Sequence, residues 1–443
     1  MAADPTKASI SNPPVPAVVK MRAPTQTTSS QAPGPKTGTA KPKAPRSGFS
    51  FEGPSKDFIL GNLKFLVHIG DGPGAEHHID LWRDFFAAAG APFAVVFRNY
   101  AVYTYVQNTV KDTNLIYVQG QHEVADLIAR SGNLIAVFYV ANTGNVLHFT
   151  QVNELRHIFI GHGDSEKASS CSKFFRVYDE IWTAGQAHVD RFNAASFNQN
   201  ALRFRIVGRP ALKWPILNRQ QRPRGRFIYL PTWEGFQEEQ NYCSMHFAEQ
   251  IITAAVGASG KPGMIKAHPG AGRRIITAGP VENIISQNLT SAGVEHEVIE
   301  RGASVWPYMW ESDFLISDIS SVVSDYLATL NPIFLFIPNN PNLKVSESVV
   351  PFDRYAYVFS DRTELIEMLD RVIVNGDDYL KNTRKEAMEY FIGVRETLGD
   401  TFSQRLIDLI NPDLLSILQQ SLVDSFNSNT LISGHGQRST KVI

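Results

Sequence analysis

Cysteine is scarce in this sequence, and long hydrophobic runs are absent. The 443 residues include two cysteines, Cys171 and Cys243, too few for a disulfide framework or a thiolate metal site and typical of a reducing compartment. The longest apolar runs, such as LIAVFYVA at 134–141, are far shorter than the roughly 20 residues that cross a bilayer. A polycationic composition is also lacking, because 42 lysines and arginines face 43 aspartates and glutamates. We therefore expect a cytoplasmic protein and exclude a dedicated binder of bulk nucleic acid.

Large apolar side chains are rare in residues 1–50, which predicts a disordered basic tail. Residues 1–48 hold seven basic residues against one acidic residue, and nine of the 25 prolines. The tail has no signal-peptide run, and Ala2 excludes N-terminal myristoylation. Such a tail is either solvated without a partner or holds the protein peripherally on an anionic membrane surface, since each cation near that surface contributes about 1 kcal/mol.

From Phe51 onward, runs rich in Val, Ile and Phe alternate with segments of helical period, which is typical of parallel βαβ units. The first half contains six strand candidates: 64–69, 93–98, 114–119, 133–140, 156–161 and 180–185. The second half contains five: 226–231, 263–269, 313–318, 332–338 and 355–359. The sequence therefore predicts two Rossmann-like α/β domains facing a cleft, with ligands outside the carboxyl ends of the strands.

The stretch RPALKWPILNRQQRPRGR at 209–226 predicts the junction between these domains. It has six cations, three prolines and no acid, a composition that suits a surface crossover. The expected organisation is a disordered tail, an N-terminal α/β domain, a C-terminal α/β domain, and closing helices with a loose C-terminal tail, at 1–50, 51–215, 216–400 and 401–443 respectively.

The glycine cluster IGDGPGAEHH at 69–78 resembles a dinucleotide-binding fingerprint only weakly. The next strand ends in FRNY, so the acid expected about 20 residues on is missing. Glu76, His77 and His78 are metal-ligand types, but adjacent residues do not face one site. GASGKPG at 257–263 lacks the leading glycine, the strand and the Ser/Thr of a P-loop. We predict neither a nicotinamide site nor a P-loop, and a role of 69–78 at a helix terminus or on the acceptor side stays open.

A histidine follows the strand candidate RHIFIG. Gly161 and Gly163 flank His162 and allow a ligand to approach the backbone closely. An imidazole with an ordinary pKa of about 6.5 accepts a proton from an attacking hydroxyl near neutral pH. Asp164 or a backbone carbonyl can fix its tautomer. From the residues alone, a catalytic base and a hydrogen-bonded structural histidine both remain open.

The strand end MIKAHPG carries two cationic residue types. Lys266 and His268 are two positions apart, so they share a face and can meet phosphate oxygens together if strand pairing persists. Arg273 and Arg274 follow closely. They either extend this anion site or are solvated, and we favour the second interpretation.

The segment at 312–338, SDFLISDISSVVSDYLATLNPIFLFIP, predicts a strand, a helix and a second strand. Asp318 or Ser320 can cap the helix, and Ser320 and Ser321 lie at its N-terminus, where N–H groups, hydroxyls and the helix dipole favour an anion. A plain N-cap explains one serine, whereas two serines beside a cationic strand end favour a phosphate site. The acids Asp313, Asp318 and Asp325 are assigned structural roles, so no metal site is predicted, and magnesium dependence is left to a chelation test.

Five motifs share their order and spacing with one known family: GHGDSEK, VYDEIWTAG, IYLPTWEG, IKAHP and DFLISDISSVVSDYLATLNPIFLFIP. The sequence resembles the CDP-glycerol glycerophosphotransferase family, the teichoic acid primases and polymerases, closely over 155–340 and loosely in the first domain. The resemblance implies a GT-B fold and transfer of a polyol phosphate from a CDP-activated donor to a hydroxyl, with release of CMP. The N-terminal domain would form the acceptor side and the C-terminal domain would bind the CDP donor.

The same resemblance implies roles for individual residues. His162 matches the proposed base on the acceptor, and His268 matches the histidine that contacts the donor pyrophosphate. Ser320 and Ser321 match the phosphate-binding positions, and Thr232 lies in the segment near the nucleotide. From the residues themselves we add Lys266 to the phosphate-binding positions and assign Asp164 and Asp318 as supporting acids. The sequence departs from the family at Asp164–Lys167, where Thr-Pro-Leu-Lys is usual, and at Glu234, where arginine is frequent.

The implied partners are CDP-glycerol or a related CDP-polyol, a polyol-phosphate or lipid-linked acceptor, and the anionic inner face of the cell membrane. Three alternatives stay open: transfer from CDP-ribitol or another CDP-polyol, a sugar-nucleotide glycosyltransferase of the same fold, and a non-catalytic scaffold for envelope-polymer assembly. No firm cofactor is predicted.

Overall fold

The computed structural model describes residues 50–52, 60–212, 225–274, 279–346, 348–393 and 400–410. The predicted disordered tail, apart from its last residue, most of the basic crossover and the predicted loose C-terminal tail lie outside these residues. No helix of the described part is long and apolar enough to span a bilayer.

The N-terminal half forms an eight-stranded sheet in the order β1-β4-β3-β2-β5-β6-β7-β8. Its strands are β1 (Ser50–Glu52), β2 (Phe65–Ile69), β3 (Phe93–Phe97), β4 (Leu115–Tyr117), β5 (Ala136–Tyr139), β6 (Arg156–Phe159), β7 (Glu180–Thr183) and β8 (Phe204–Ile206). β1 pairs antiparallel with β4, and the other pairs are parallel. The helices are α1 (Arg83–Ala88), α2 (Tyr100–Thr109), α3 (Gln121–Arg130), α4 (Leu147–Thr150) and α5 (Gln186–Ala194).

The C-terminal half forms a six-stranded, fully parallel sheet in the order β11-β10-β9-β12-β13-β14. Its strands are β9 (Phe227–Leu230), β10 (Gly263–Ile265), β11 (His296–Val298), β12 (Leu315–Asp318), β13 (Ile333–Phe336) and β14 (Tyr357–Phe359). The later helices are α6 (Ala248–Ser259), α7 (Val281–Ser291), α8 (Trp306–Glu311), α9 (Ser321–Tyr326), α10 (Arg362–Leu369), α11 (Lys381–Ile392) and α12 (Asp400–Ile410).

These two sheets confirm the predicted α/β class. The central strands are buried on both faces, so they read as continuous apolar runs. The sequence analysis missed three strands, β1, β8 and β11. Each has only three residues and lies at a sheet edge, so it lacks the long apolar run by which central strands are recognised.

Both sheets follow the doubly wound strand order. Numbered along the chain, the parallel strands lie in the order 3-2-1-4-5-6, with β8 added as a seventh strand in the first sheet. The order reverses between β2 and β5 and between β9 and β12. Ligands of such sheets bind outside the carboxyl ends of the strands at these reversal points.

The C-terminal helix α12 packs on the N-terminal half. Phe402 is fully buried, with ring centroids 5.1 Å from Trp82, 5.6 Å from Phe86 and 5.5 Å from Trp182. The last helix of the described residues therefore returns to the first sheet, as a closing helix does.

The segment Asp164–Lys167 joins the two halves. Ser324 Oγ donates to the Asp164 carbonyl at 2.6 Å, Tyr355 OH donates to Glu166 Oε1 at 2.9 Å, and Lys167 Nζ donates to Thr232 Oγ1 at 2.6 Å. The first three residues of the segment are at most 8% exposed. This departure from the family pattern therefore lies in the contact between the halves.

Candidate functional site

His162 lies three residues beyond Phe159, the last residue of β6. The preceding Gly161 has a φ of 67°, a conformation that favours glycine. The His162 side chain is exposed, and its Nδ1 lies 2.8 Å from the Val140 carbonyl, just beyond β5. Because a carbonyl oxygen only accepts hydrogen bonds, Nδ1 carries the hydrogen and Nε2 keeps its lone pair. His162 is therefore held in the tautomer that a general base requires.

Asp164 does not set this tautomer. Its carboxylate accepts from Arg191 and lies 3.5 Å from His188 Nδ1. Burial opposes the charge on Asp164, but His188 and Arg191 outweigh burial and lower its pKa. Of the two groups considered from the sequence, the backbone carbonyl holds His162, while Asp164 supports the contact between the halves.

His268 has the opposite tautomer. Its Nδ1 accepts from the Gly270 N–H at 2.9 Å, which leaves the hydrogen of the neutral ring on Nε2. Burial, followed by the charges of Lys167 and His162, lowers its pKa to about 3. At neutral pH His268 is therefore an uncharged hydrogen-bond donor.

A buried lysine, Lys266, and a half-buried one, Lys167, place positive charge near His268. Lys266 Nζ donates to the Arg301 carbonyl at 2.8 Å, and burial and Arg301 lower its pKa to about 8. Lys167, bound to Thr232, has its pKa lowered to about 8 by burial. Thr232 is thus a partner of Lys167 at the end of β9. The sequence analysis did not single out Lys167, whose importance depends on contact with the other half.

The two serines of the SDISS segment have different environments. Ser320 takes the N-cap position of α9, but its hydroxyl makes no cap bond, and among the described residues its Oγ has no hydrogen-bond partner. Ser321 packs against Gly163, where an added Cβ would lie 2.5 Å from the Ser321 Cβ. The loop that holds His162 thus touches the start of α9.

Asp318 does not cap α9, contrary to one of the two caps considered. It is the last residue of β12, and its Oδ2 accepts from the Thr232 N–H at 2.7 Å and the Ser244 N–H at 3.1 Å. Complete burial raises its pKa to about 7. Asp318 therefore fixes the loops that follow β9.

The other residues considered from the sequence have structural partners. Asp313 pairs with Lys261 at 2.6 Å, and Asp325 pairs with Arg209 at 2.9 Å.

Arg274 donates to the Glu234 carbonyl at 3.3 Å and lies 3.5 Å from the Glu238 carboxylate. Arg273 contributes charge that lowers the pKa of His268 after burial and nearer cations. Glu234, the second departure from the family pattern, is buried and accepts from the Gly272 N–H at 2.8 Å.

The glycine cluster at 69–78 lies beside His162. The His78 ring stacks on His162 with centroids 4.3 Å apart and planes 15° apart, and His78 Nδ1 is 3.5 Å from Asp71 Oδ2. An added Cβ on Gly74 would lie 2.8 Å from the Pro269 Cβ. The cluster therefore meets both the His162 loop and the loop that follows His268. The sequence signal for this placement was its position at the carboxyl end of β2, next to the reversal point.

No protein-family model and no curated protein matches the chain. Among solved structures, it is similar to the wall teichoic acid polymerase TagF, crystallised as a histidine-to-asparagine variant, with 14% identity, a TM-score of 0.53, and coverage of 83% of this chain and 92% of that one. It is also similar to the Staphylococcus aureus MnaA structure with UDP (11% identity, TM-score 0.51, 80% and 97% covered). A third similar structure is the UDP-GlcNAc 2-epimerase of Methanocaldococcus jannaschii (11%, TM-score 0.52, 78% and 99% covered). These likenesses show a GT-B-like fold.

Proposed function

We propose that this protein transfers glycerol phosphate, or a related polyol phosphate, from its CDP-activated form to a hydroxyl acceptor and releases CMP. The observation that best supports this function is a pair of histidines in opposite tautomers, His162 after β6 and His268 after β10. One can accept a proton and the other can donate a hydrogen bond. The motif resemblance over 155–340 and the GT-B-like fold agree with this chemistry.

In the proposed reaction, an acceptor oxygen attacks the β-phosphorus of the donor. The new P–O bond forms as the bond from that phosphorus to the bridging oxygen breaks, and CMP leaves with the electron pair on the former bridging oxygen. The acceptor proton passes to Nε2 of His162. Positioning and charge stabilisation account for the catalysis, because phosphoryl transfer needs no covalent enzyme intermediate.

The leaving group meets mainly the second half of the protein. His268 Nε2–H donates to a pyrophosphate oxygen, while Lys266, together with Lys167 from the first half, supplies positive charge. The hydroxyl of Ser320, which has no hydrogen-bond partner among the described residues, is proposed as a further donor. Because these groups lie in a partly buried site, each well-aimed donor contributes about 10²–10³-fold to the rate.

The acceptor enters from the side of the first sheet, where His162 and the glycine cluster lie. A polyol phosphate or a lipid-linked primer supplies the attacking hydroxyl. The basic residues of the N-terminal tail are attracted to anionic lipids, so the reaction is proposed to take place at the inner face of the cell membrane.

The first test is CMP release from CDP-glycerol and CDP-ribitol, each with a lipid-linked glycerol phosphate acceptor. We expect release by the wild type and a loss of about 10²–10⁴-fold in His162→Ala, with CDP binding by calorimetry unchanged. His162→Asn retains a donor to the Val140 carbonyl but has no Nε2, so it should lose activity without losing stability. His122→Ala, an exposed histidine on α3, is the matched control.

Normal turnover by His162→Ala would contradict the assigned base. UDP-GlcNAc serves as a comparison substrate, because MnaA and the 2-epimerase share the fold; conversion of it in place of either CDP-polyol would establish the sugar-nucleotide alternative. CDP binding without turnover of any donor points to another acceptor, and absence of both favours the scaffold.

A further inference from the structure

We infer that Asp71 is a positioning residue for His162, held beside it by the stacked ring of His78. This inference rests on the proposed function, because it assigns a role to residues around the proposed base. It also gives a role to the glycine cluster at 69–78.

Asp71 and His78 face each other without a hydrogen bond. Asp71 Oδ2 and His78 Nδ1 are 3.5 Å apart, and both atoms are buried and unpartnered among the described residues. One ligand-type atom each of Asp71, His78 and His162 lies within 4.8 Å of the other two. A carboxylate is therefore close to the ring that gains a proton.

His78 stays neutral near pH 7. It is 6% exposed, and burial, followed by the charges of His162 and His77, holds its pKa well below the usual range. The neighbouring His77 likewise has its pKa lowered to about 4, mainly by burial. Of these three histidines, the exposed His162 is the one free to accept the proton, and the face of a neutral aromatic ring then covers the cation.

The other groups around His162 do not supply a free anion. Arg209, which follows β8, is a cation that donates to the His162 carbonyl at 2.6 Å. Asp325 on α9 also interacts with His162, but Arg209 already binds both of its carboxylate oxygens. Asp71 is thus the carboxylate near His162 that has no arginine or lysine partner among the described residues. Burial raises the pKa of Asp71 overall, and the charge on His162 opposes that shift, so a protonated His162 favours the anionic form of Asp71.

The same three side chains are types that bind transition metals, but the ring geometry argues against a shared ion. Histidine binds a metal through a lone pair in the ring plane, at about 2.0–2.1 Å for zinc. The stacked rings of His78 and His162 hold their lone pairs in two nearly parallel planes, so one ion cannot lie in both. The arrangement therefore suits charge stabilisation.

The test compares Asp71→Asn, Asp71→Glu and the control Asp84→Asn, whose carboxylate is 79% exposed beside Arg83. Without the anion, protonated His162 is less stable, so Asp71→Asn should move the acid limb of the pH–rate profile to lower pH. We expect kcat for CMP release to fall about tenfold or more, because the imidazolium that forms on His162 loses the neighbouring anion that stabilises it. KM for the donor should stay unchanged. In Asp71→Glu the acid limb of the pH–rate profile should lie between those of Asp71→Asn and the wild type, and in Asp84→Asn it should match the wild type.

A second pair of variants separates stacking from hydrogen bonding. His78→Phe keeps an aromatic face over His162 and should retain most of the turnover, whereas His78→Ala removes it and should not. Thermal unfolding checks that both variants fold. A wild-type pH–rate profile in Asp71→Asn, or equal turnover in the two His78 variants, would overturn the inference.

An NMR titration of the His162 ring keeps this inference separate from the proposed function. The titration midpoint should fall in Asp71→Asn even if no donor is turned over. An unchanged midpoint contradicts the inference whatever the activity. A lowered midpoint without CMP release supports the inference and contradicts the proposed reaction.

Discussion

At the scale of single residues, His162 and His268 differ in which role the backbone gives to Nδ1. The Val140 carbonyl accepts a hydrogen bond from Nδ1 of His162, and the Gly270 N–H donates one to Nδ1 of His268. Identical side chains thereby present a free lone pair in one case and an N–H donor in the other at Nε2. This division of roles depends on two backbone groups, which no side-chain motif specifies.

Replacing His268 tests which of its nitrogens matters. Glutamine places an amide N–H₂ near the position of Nε2, whereas asparagine reproduces only the acceptor at Nδ1. Because the proposed role is donation from Nε2, we expect His268→Gln to retain more kcat for CMP release than His268→Asn, with a gap of about tenfold or more. Equal losses, or a more active asparagine variant, would assign His268 to loop structure alone.

At the scale of elements, the loop after β6 meets the start of α9 at a close contact. Gly163 lies against Ser321, so the loop after β6 and the start of α9 approach more closely than any side chain at 163 allows. Since Gly163 is next to His162, this contact also fixes the position of the proposed base relative to the SDISS segment.

Gly163→Ala should therefore separate the two elements. An added Cβ would lie 2.5 Å from the Ser321 Cβ, and such overpacking costs about 1–3 kcal/mol. We expect a lower urea-unfolding free energy and a clear loss of CMP release. Gly144→Ala is the matched control, because an added Cβ there meets no atom within 4 Å. Wild-type turnover in Gly163→Ala would show that the close approach is not needed for activity.

At the scale of the whole molecule, a buried ion pair joins the halves at the site. Arg209, the first residue of the basic crossover, binds both carboxylate oxygens of Asp325 on α9, at 2.9 and 3.1 Å, and also the carbonyl of His162. Together with Asp164–Lys167, it couples the relation between the sheets to the position of the base. The family departure at 164–167 therefore concerns how the halves are held.

A double-mutant cycle measures this coupling. Arg209→Met leaves the Asp325 carboxylate buried and unpaired, which should cost about 3–5 kcal/mol of unfolding free energy. Adding Asp325→Asn removes the buried charge, so the double variant should regain part of that stability. It should not regain turnover, because the bond to the His162 carbonyl is still missing. Additive losses of stability in the two single variants would contradict the proposed coupling.

The sequence by itself determined the fold class and indicated at which strand ends the candidate site residues lie. Parallel strands that are buried on both faces have continuous apolar runs, so the central strands and their carboxyl ends could be predicted from the sequence. His162, Lys266, His268 and the SDISS segment all follow such strands, and the motif resemblance covers that region.

Only the tertiary structure decided which residues work together. Asp71 and His162 are 91 positions apart, and Lys167 and Thr232 are 65 apart, so no local periodicity links them. Asp71 and His162 approach each other because β2, β5 and β6 are successive strands of one sheet and their carboxyl ends lie at the same edge. Lys167 and Thr232 belong to different sheets and meet only where the two halves are in contact. Tautomers, buried charges and the contact between the halves depend on backbone groups and burial, which exist only once the chain has folded.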